Sequence, residues 1–295
     1  MKMKQVFIFG LICVLAVALF AGCSSQNGGG GGEAEDQGAV ETGHALSAKE
    51  ILAASAEAMS AYGNYRALMR VEMEMSALDE DMTMDIDTEM DVFTDPLKVK
   101  MKMTMDMPEL SSIVMDTYVF QEGDDLVTYM DLSAAFGTPG AWYKTVEPVS
   151  AESLSQYNLN MYSNTFLESY VQAEIASEEL VGGMECYKLD VVIDASGMMK
   201  LLDTTDFGQQ FGEEITPDMI AAMENLTATI WISKDGFYQV KVEMDMADIL
   251  NPIMSQFEGD IDVSRMWLSL MTSDIGKTPD FTLPEEAKNA EFLPS

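Results

Sequence analysis

Methionine is the residue whose type and spacing in this sequence most strongly suggest chemistry. Ten of the 26 methionines lie between Met69 and Met107, several of them in Met-x-Met order. Thioether sulfur in that arrangement can bind Cu(I), which is a soft metal ion. The same spacing is that of a β-strand, however, and no histidine lies in this segment. The pattern therefore predicts an apolar strand face and no metal site.

Histidine, which many catalytic and zinc sites use, is scarce in this chain. His44 is the only histidine, and it precedes the segments with regular patterning, so Ser-His-Asp, Cys-His and histidine-zinc sites are not expected. An acidic run from Asp79 to Asp91 has the composition of a calcium loop but lacks its central glycine. A carboxylate pair among the 50 acidic residues stays open, although nothing singles one out. We predict no enzyme, no catalytic residue and no cofactor.

Cys23 ends a segment that resembles a bacterial lipoprotein signal. An apolar run follows a basic start, and two small residues stand before the cysteine: Lys2, Lys4, Val6 to Phe20, Ala21 and Gly22. The run is shorter than the roughly 20 apolar residues of a spanning helix. The resemblance implies that Cys23 is acylated and anchors the protein to the cell membrane, facing the extracytoplasmic side. The alternative is an ordinary secretory signal with an incidental cysteine.

The charge of the chain excludes some partners. The formal net charge is −34, and loss of Lys2 and Lys4 with the signal leaves 14 basic residues against 50 acidic ones, or −36. Such a surface repels nucleic acid and anionic headgroups, so neither is expected as an electrostatic partner. Cys186 is the single cysteine left after Cys13 and Cys23, which leaves no intramolecular disulfide. It stands in a strand-like alternation and is predicted to be a small buried side chain.

Three parts of the chain differ in composition. Residues 1–22 are the predicted signal peptide, and residues 23–46 combine the lipidated cysteine with an acidic tether that contains five consecutive glycines. A Gly-rich coil of the tether's length has an r.m.s. reach of about 25 Å. Residues 47–295 are predicted to form one β-rich domain.

The first elements of that domain are clearly marked. Ser47 and Glu50 form a capping box, which predicts a helix that ends near Gly63. Three segments then alternate apolar with charged residues, as antiparallel strands over a core do. Their apolar positions are Val71, Met73, Met75, Met82, Met84, Ile86, Met90, Val92, Val99, Met101, Met103, Met105 and Met107.

The charges suggest a register for the second and third segments. Asp95-Pro96 marks a turn, and a hairpin that pairs Val92 with Leu97 places opposite charges face to face. The predicted pairs are Asp91 with Lys98, Glu89 with Lys100, and Asp87 with Lys102, all on the outer face of the sheet.

Further hairpins and helices follow in the pattern. Turn residues and periodicity predict hairpins at Ile113–Gln121 with Leu126–Leu132, around Gly182-Gly183, and at Thr227–Ser233 with Phe237–Met246. Single strands are predicted at Trp142-Tyr143-Lys144 and Asp260–Ser273. Helical spacing is present at Ser153–Ala173 and Met198–Phe211, and Thr216-Pro217-Asp218 marks a helix start.

Four motifs stand out along the domain: Tyr62-Gly63-Asn64-Tyr65, Gly183 to Leu189, Ile230 to Phe237 and Leu283 to Ala287. Together they resemble the LolA/LppX/LprG-like lipoprotein fold, near an uncharacterised family of Gram-positive lipoproteins. The resemblance implies an α+β fold in which a large antiparallel sheet curves into a half-open barrel. An N-terminal helix and inserted helices would cover its concave side. It further implies an apolar cavity that carries lipid or acyl chains.

The methionine-rich strand face agrees with the apolar cavity that the resemblance implies. Methionine is flexible and adapts to irregular shapes, which suits a wall that contacts an acyl chain. We predict a cavity lined by Met73, Met84, Met101, Met103, Met105 and Trp231 that binds a lipid or another hydrophobic small molecule. Compositional bias toward methionine in an ordinary core is the alternative explanation. The alternative function is a filled, non-enzymatic module that interacts with or supports the envelope, with a protein partner that the sequence does not identify.

Overall fold

The computed structural model describes residues 46–77, 80–107, 112–150, 170–194, 225–254 and 262–293. Within these ranges lie twelve strands, three α-helices and one 3-10 helix, Glu286–Asn289. The helices are α1 (Ala48–Ser60), α2 (Ser133–Phe136) and α3 (Ala247–Met254). The strands are β1 (Asn64–Ala77), β2 (Glu80–Thr94), β3 (Leu97–Asp106), β4 (Ile113–Glu122), β5 (Asp125–Asp131), β6 (Trp142–Pro148), β7 (Tyr170–Val181), β8 (Met184–Ile193), β9 (Leu226–Ser233), β10 (Gln239–Asp245), β11 (Asp262–Ser273) and β12 (Glu291–Phe292).

The twelve strands form one curved sheet that does not close. Their order is β12-β6-β5-β4-β3-β2-β1-β11-β10-β9-β8-β7, so β12 and β7 are its edges. All neighbours are antiparallel except β12 and β6. Two meanders, β1 to β6 and β7 to β11, join where β1 pairs with β11. The predicted fold class, a large antiparallel sheet forming a half-open barrel with an N-terminal helix, is confirmed.

The N-terminal helix begins as its capping box predicts. The Ser47 hydroxyl accepts from the Glu50 amide at 3.3 Å, while the Glu50 carboxylate accepts from the Ser47 amide at 2.7 Å. The helix buries Ile51 and Leu52 against the strands. We call the sheet face that they touch the inner face, and the opposite face the outer face.

Strand alternation sorts the side chains between these faces. Inner-face residues of β1, β2, β3 and of β8 to β11 share one large apolar core with α1 and with Ile249 of α3. A second inner-face core contains Tyr65, Val99 and Val119. Because successive residues in a strand point to opposite faces, the charged residues between these apolar positions face outward.

The β2–β3 hairpin has the predicted faces but another register. Val92 pairs with Val99, not with Leu97, because the turn is only two residues long and pairs Thr94 with Leu97. Asp91 therefore faces Lys100 and Glu89 faces Lys102. The predicted register is wrong by two residues, and an even shift keeps every side chain on its face.

The remaining predictions of strands and helices have different outcomes. The three hairpins, β6 and β11 are found where the sequence predicts strands. The helix predicted over Ser153–Ala173 is wrong at its end, since Tyr170 already begins β7, where edge pairing with β8 fixes an extended backbone. Residues 151–169, the helix predicted at Met198–Phe211, the start at Thr216, and Cys23 with nearly all of the tether lie outside the described residues. Helices α2 and α3 were not predicted.

Among the helices of the described ranges, none combines the length and the apolar character needed to cross a membrane.

Candidate functional site: a methionine-lined sheet face

Methionines from five strands meet on the inner face. Met73 lies opposite Met84 and Met266, and Met75 lies opposite Met82, which is partly buried beside them. Directly opposite residues have Cβ atoms about 5 Å apart, so these thioether chains pack against one another. We call the following buried set the methionine face: Met69, Met73, Met75, Met84, Met103, Met105, Met244 and Met266.

Four of the five methionines predicted from the sequence belong to the methionine face. Met73, Met84, Met103 and Met105 are buried in the same core, with Met105 only 1% exposed. Met101 is also buried and follows on the same side of β3, but it packs in the second inner-face core. The structure therefore brings these five side chains onto one continuous face.

Strand alternation correctly predicted the sheet face of these methionines. Two further methionines of the same face were not among the predicted residues. Met266 in β11 and Met244 in β10 complete the face from the other meander. Met244 alternates with Val242 around Glu243, and Met266 shares a period of two with Leu268 and Leu270, although the intervening Trp267 is also apolar. Their closeness to β1 could not be read from that alternation, because it depends on β11 pairing with β1.

Thr88 interrupts the apolar surface. It occupies the inner-face position between Ile86 and Met90 in β2, opposite Met69 on one side and Met103 on the other. The residue is 1% exposed, and its Oγ1 has no hydrogen-bond partner within the described part of the chain. The signal was present in the sequence, as the single polar residue in the run of alternating apolar positions from Met82 to Val92.

Basic residues are absent from the inner face of the described strands. All nine lysines and arginines in these strands occupy outer-face register positions: Arg66, Arg70, Lys98, Lys100, Lys102, Lys144, Lys188, Lys241 and Arg265. Several pair there with carboxylates, as Arg66 does with Asp91 at 2.8 Å and Arg265 with Glu72 at 2.8 Å. An anionic group on the inner face would therefore find no strand cation near it.

Trp231 lies on the other side of the sheet from the methionine face. It is buried, 5% exposed, on the outer face of β9 beside Cys186 and Val240. Neighbouring residues Ile230 and Ile232 take the inner-face positions, so strand alternation turns the indole outward. The structure does not bring Trp231 together with the predicted methionines.

Polar groups hold Trp231 in place. Its Nε1–H donates to the Glu179 carboxylate at 2.9 Å, and the Lys241 and Lys188 ammonium groups lie 4.7 and 5.3 Å from its ring centroid. The hydrogen bond from Trp231, followed by that from Lys188, lowers the pKa of Glu179. These contacts fix the ring in one orientation.

The Cys186 thiol and an aromatic cluster near β4 both have packing roles. Burial raises the pKa of the Cys186 thiol, which is fully enclosed and lies 3.4 Å from the Met184 carbonyl oxygen that accepts from it. This is the inert environment of a structural cysteine. On the outer face near β4, the residues Tyr118, Phe120 and Trp142 pack under Phe281 and Ala287 of the C-terminal segment. Both groups serve the packing of the outer face.

No cluster of three or more His, Cys, Asp or Glu side chains that could hold a metal ion is found across the described residues.

The chain is similar to several solved structures. These include lipoprotein LppX of Mycobacterium tuberculosis, at 15% identity over 79% of this chain and 98% of that one, with a TM-score of 0.43. LprF of Mycobacterium bovis is 13% identical over 81% and 97%, with a TM-score of 0.45. A LolA superfamily protein of Nitrosomonas europaea is 12% identical over 81% and 96%, with a TM-score of 0.22.

These structures are of the lipoprotein and LolA types that the sequence resemblance predicted. No curated protein matches the chain in sequence. A family model described as a family of unknown function (DUF6612) matches residues 47–292, and the chain belongs to that family.

Proposed function

We propose that this protein is a membrane-anchored extracytoplasmic lipoprotein that binds a hydrophobic ligand, a lipid or acyl chain, on the methionine face. Cys23 would carry the anchor, and the Gly-rich tether would hold the domain near the bilayer. The role is binding and not catalysis, since the side chains concerned supply contact area and no titrating group.

The observation that supports this proposal is the composition of the inner face. Leucine, isoleucine and valine have defined rotamers and pack a fixed core, whereas methionine has three rotatable bonds and adapts to irregular shapes. Eight buried methionines on one sheet face therefore make a surface that can be remodelled around a guest. Each methylene of a buried acyl chain contributes about 0.8 kcal/mol, so a 14-carbon chain offers roughly 11 kcal/mol before ordering costs.

The distribution of charge is consistent with the same role. The strand lysines and arginines lie outside, and the chain as a whole has a net charge of −34. Such a domain is not drawn to anionic headgroups by electrostatics. An acyl anchor at Cys23 would instead keep the domain close to the lipid bilayer.

Native mass spectrometry of the full-length protein, purified from membranes in detergent, tests both the acyl anchor and the bound ligand. The expected spectrum shows covalent acyl mass on Cys23 and a further non-covalent species in the lipid mass range. A protein that is repeatedly free of non-covalent lipid would contradict the ligand proposal and favour the filled interaction module. An unmodified Cys23 would contradict the anchor alone.

A pair of variants locates the ligand. Met103→Trp fills space on the methionine face and is expected to lower lipid occupancy. Met271→Trp makes the same change on the outer face of β11, opposite Lys241, and is expected to leave occupancy unchanged. Equal losses in both variants would place the ligand elsewhere.

A further inference from the structure

Thr88 is a buried hydroxyl in an otherwise apolar surface. Its flanking partners across the sheet are Met69 and Met103, and the next inner-face positions along β2 are Ile86 and Met90. The side chain is 1% exposed and Oγ1 has no hydrogen-bond partner in the described part of the chain. Buried polar groups in folded proteins are nearly always hydrogen-bonded, and an unpaired one destabilises the fold. Valine would fill the same space without that cost.

An unpaired hydroxyl at this place matches a polar atom on a guest. We propose that Thr88 donates a hydrogen bond to an uncharged oxygen of the ligand, so that the methionine face selects acyl esters over plain hydrocarbons. This inference rests on the proposed function and specifies the ligand's chemistry. Thr88 is then a specificity-determining residue, and the surrounding methionines supply the non-directional contact.

The charge of the inner face argues for a neutral group. A carboxylate or phosphate beside Thr88 would be buried with no lysine or arginine of the described strands on its side of the sheet. Burial of an unpaired ion is strongly unfavourable, whereas an ester carbonyl needs only a single donor. A carbonyl oxygen accepts, and the Thr88 hydroxyl is a donor that is not otherwise engaged by the described residues.

The test uses the full-length protein in dodecyl maltoside micelles, which contain no acyl ester that could compete for the site, with two photoreactive probes. One probe is the methyl ester of a diazirine-bearing fatty acid, and the other is a diazirine-bearing alkane of equal length. Labelling of the peptide that spans β2 and β3 is measured by mass spectrometry for the native protein, for Thr88→Val and for Thr83→Val. Thr83 is an exposed residue on the outer face of the same strand, and it provides the matched control.

The expected result separates the two probes. Thr88→Val should lower ester labelling by about five- to tenfold, the size of one hydrogen bond, while alkane labelling is unchanged. Thr83→Val should alter neither. The ligand-free Thr88→Val protein should also melt about 2–4 °C higher, because the unpaired hydroxyl is gone.

Each other outcome has a definite meaning. If both probes label the native protein and Thr88→Val changes them equally or not at all, the role of Thr88 is overturned while hydrophobic binding stands. If neither probe labels β2 and β3 in the native protein, the proposed function itself fails. A lower melting temperature for Thr88→Val would show that the hydroxyl is already satisfied, and it would overturn the inference as well.

Discussion

The two faces of the sheet bury comparable side chains by different means. Met84 on the inner face and Trp231 on the outer face are 4% and 5% exposed. Met84 is surrounded by other apolar chains and has no polar group that could fix its orientation. Trp231 donates a hydrogen bond to Glu179 and lies between two ammonium groups from the flanking strands.

This difference shows that burial alone does not distinguish a side chain held in one orientation from one that can change its shape. Directional contacts hold Trp231 in one orientation, which suits a structural role. Dispersion and the hydrophobic effect are non-directional, so a methionine surface keeps its stability while its shape changes. The outer face should therefore respond to mutation mainly in stability, and the inner face mainly in binding.

The largest expected effect is that of Trp231→Ala. Loss of a buried indole should lower the free energy of unfolding by about 3–5 kcal/mol, as measured by urea denaturation followed by circular dichroism. Lipid occupancy of the folded variant, measured by native mass spectrometry, should stay unchanged. A variant that is as stable as the native protein but loses its lipid would reverse the assignment of the two faces.

A smaller effect on stability is expected from leucine substitutions on the methionine face. Met84→Leu, Met103→Leu and Met105→Leu each preserve volume and should cost less than about 1.5 kcal/mol. Leucine has fewer rotamers, so the combined variant should bind a narrower range of acyl chain lengths in a competition assay. Met271→Leu on the outer face is the control and should leave that range as it is. An unchanged range in the combined variant would argue that the methionines are ordinary core residues.

Much of this sheet could be predicted because alternation is a local property. The period of two assigned Met73, Met84 and Met103 to one face correctly, and it survived the register error in the β2–β3 hairpin because the error was an even number of residues. The register of a hairpin depends on its turn. Charge pairing alone favoured a register that the two-residue turn does not form.

The face that Trp231 occupies could not be predicted from local alternation. Residues 230–232 are all apolar, so alternation does not show which of them faces inward. The orientation follows from β8 and β10, whose Lys188 and Lys241 stand opposite Trp231. Thr88 could be located from the pattern, whereas its lack of a partner depends on which side chains surround it in three dimensions.

The smallest expected effect concerns the carboxylate beside Trp231. The hydrogen bond from Trp231 and the contact with Lys188 hold the pKa of Glu179 below its ordinary value of 4.5 in the folded protein. A lowered pKa means that the ionised group stabilises the fold above pH 4.5, and that this contribution is lost as the pH falls through the folded-state pKa.

Glu179→Gln should therefore be less stable than the native protein at pH 7, with a difference that shrinks as the pH is lowered past 4.5. Urea midpoints measured from pH 7 to pH 3 give this difference directly. Glu174→Gln, an exposed change in the same strand, should change stability little at pH 7. Because Glu179 lies on the outer face, its substitution should not alter ester binding at any pH where the protein is folded. A loss of binding in Glu179→Gln would mean that the two faces are coupled through β8 and β9, and the separation of structural and binding surfaces would have to be abandoned.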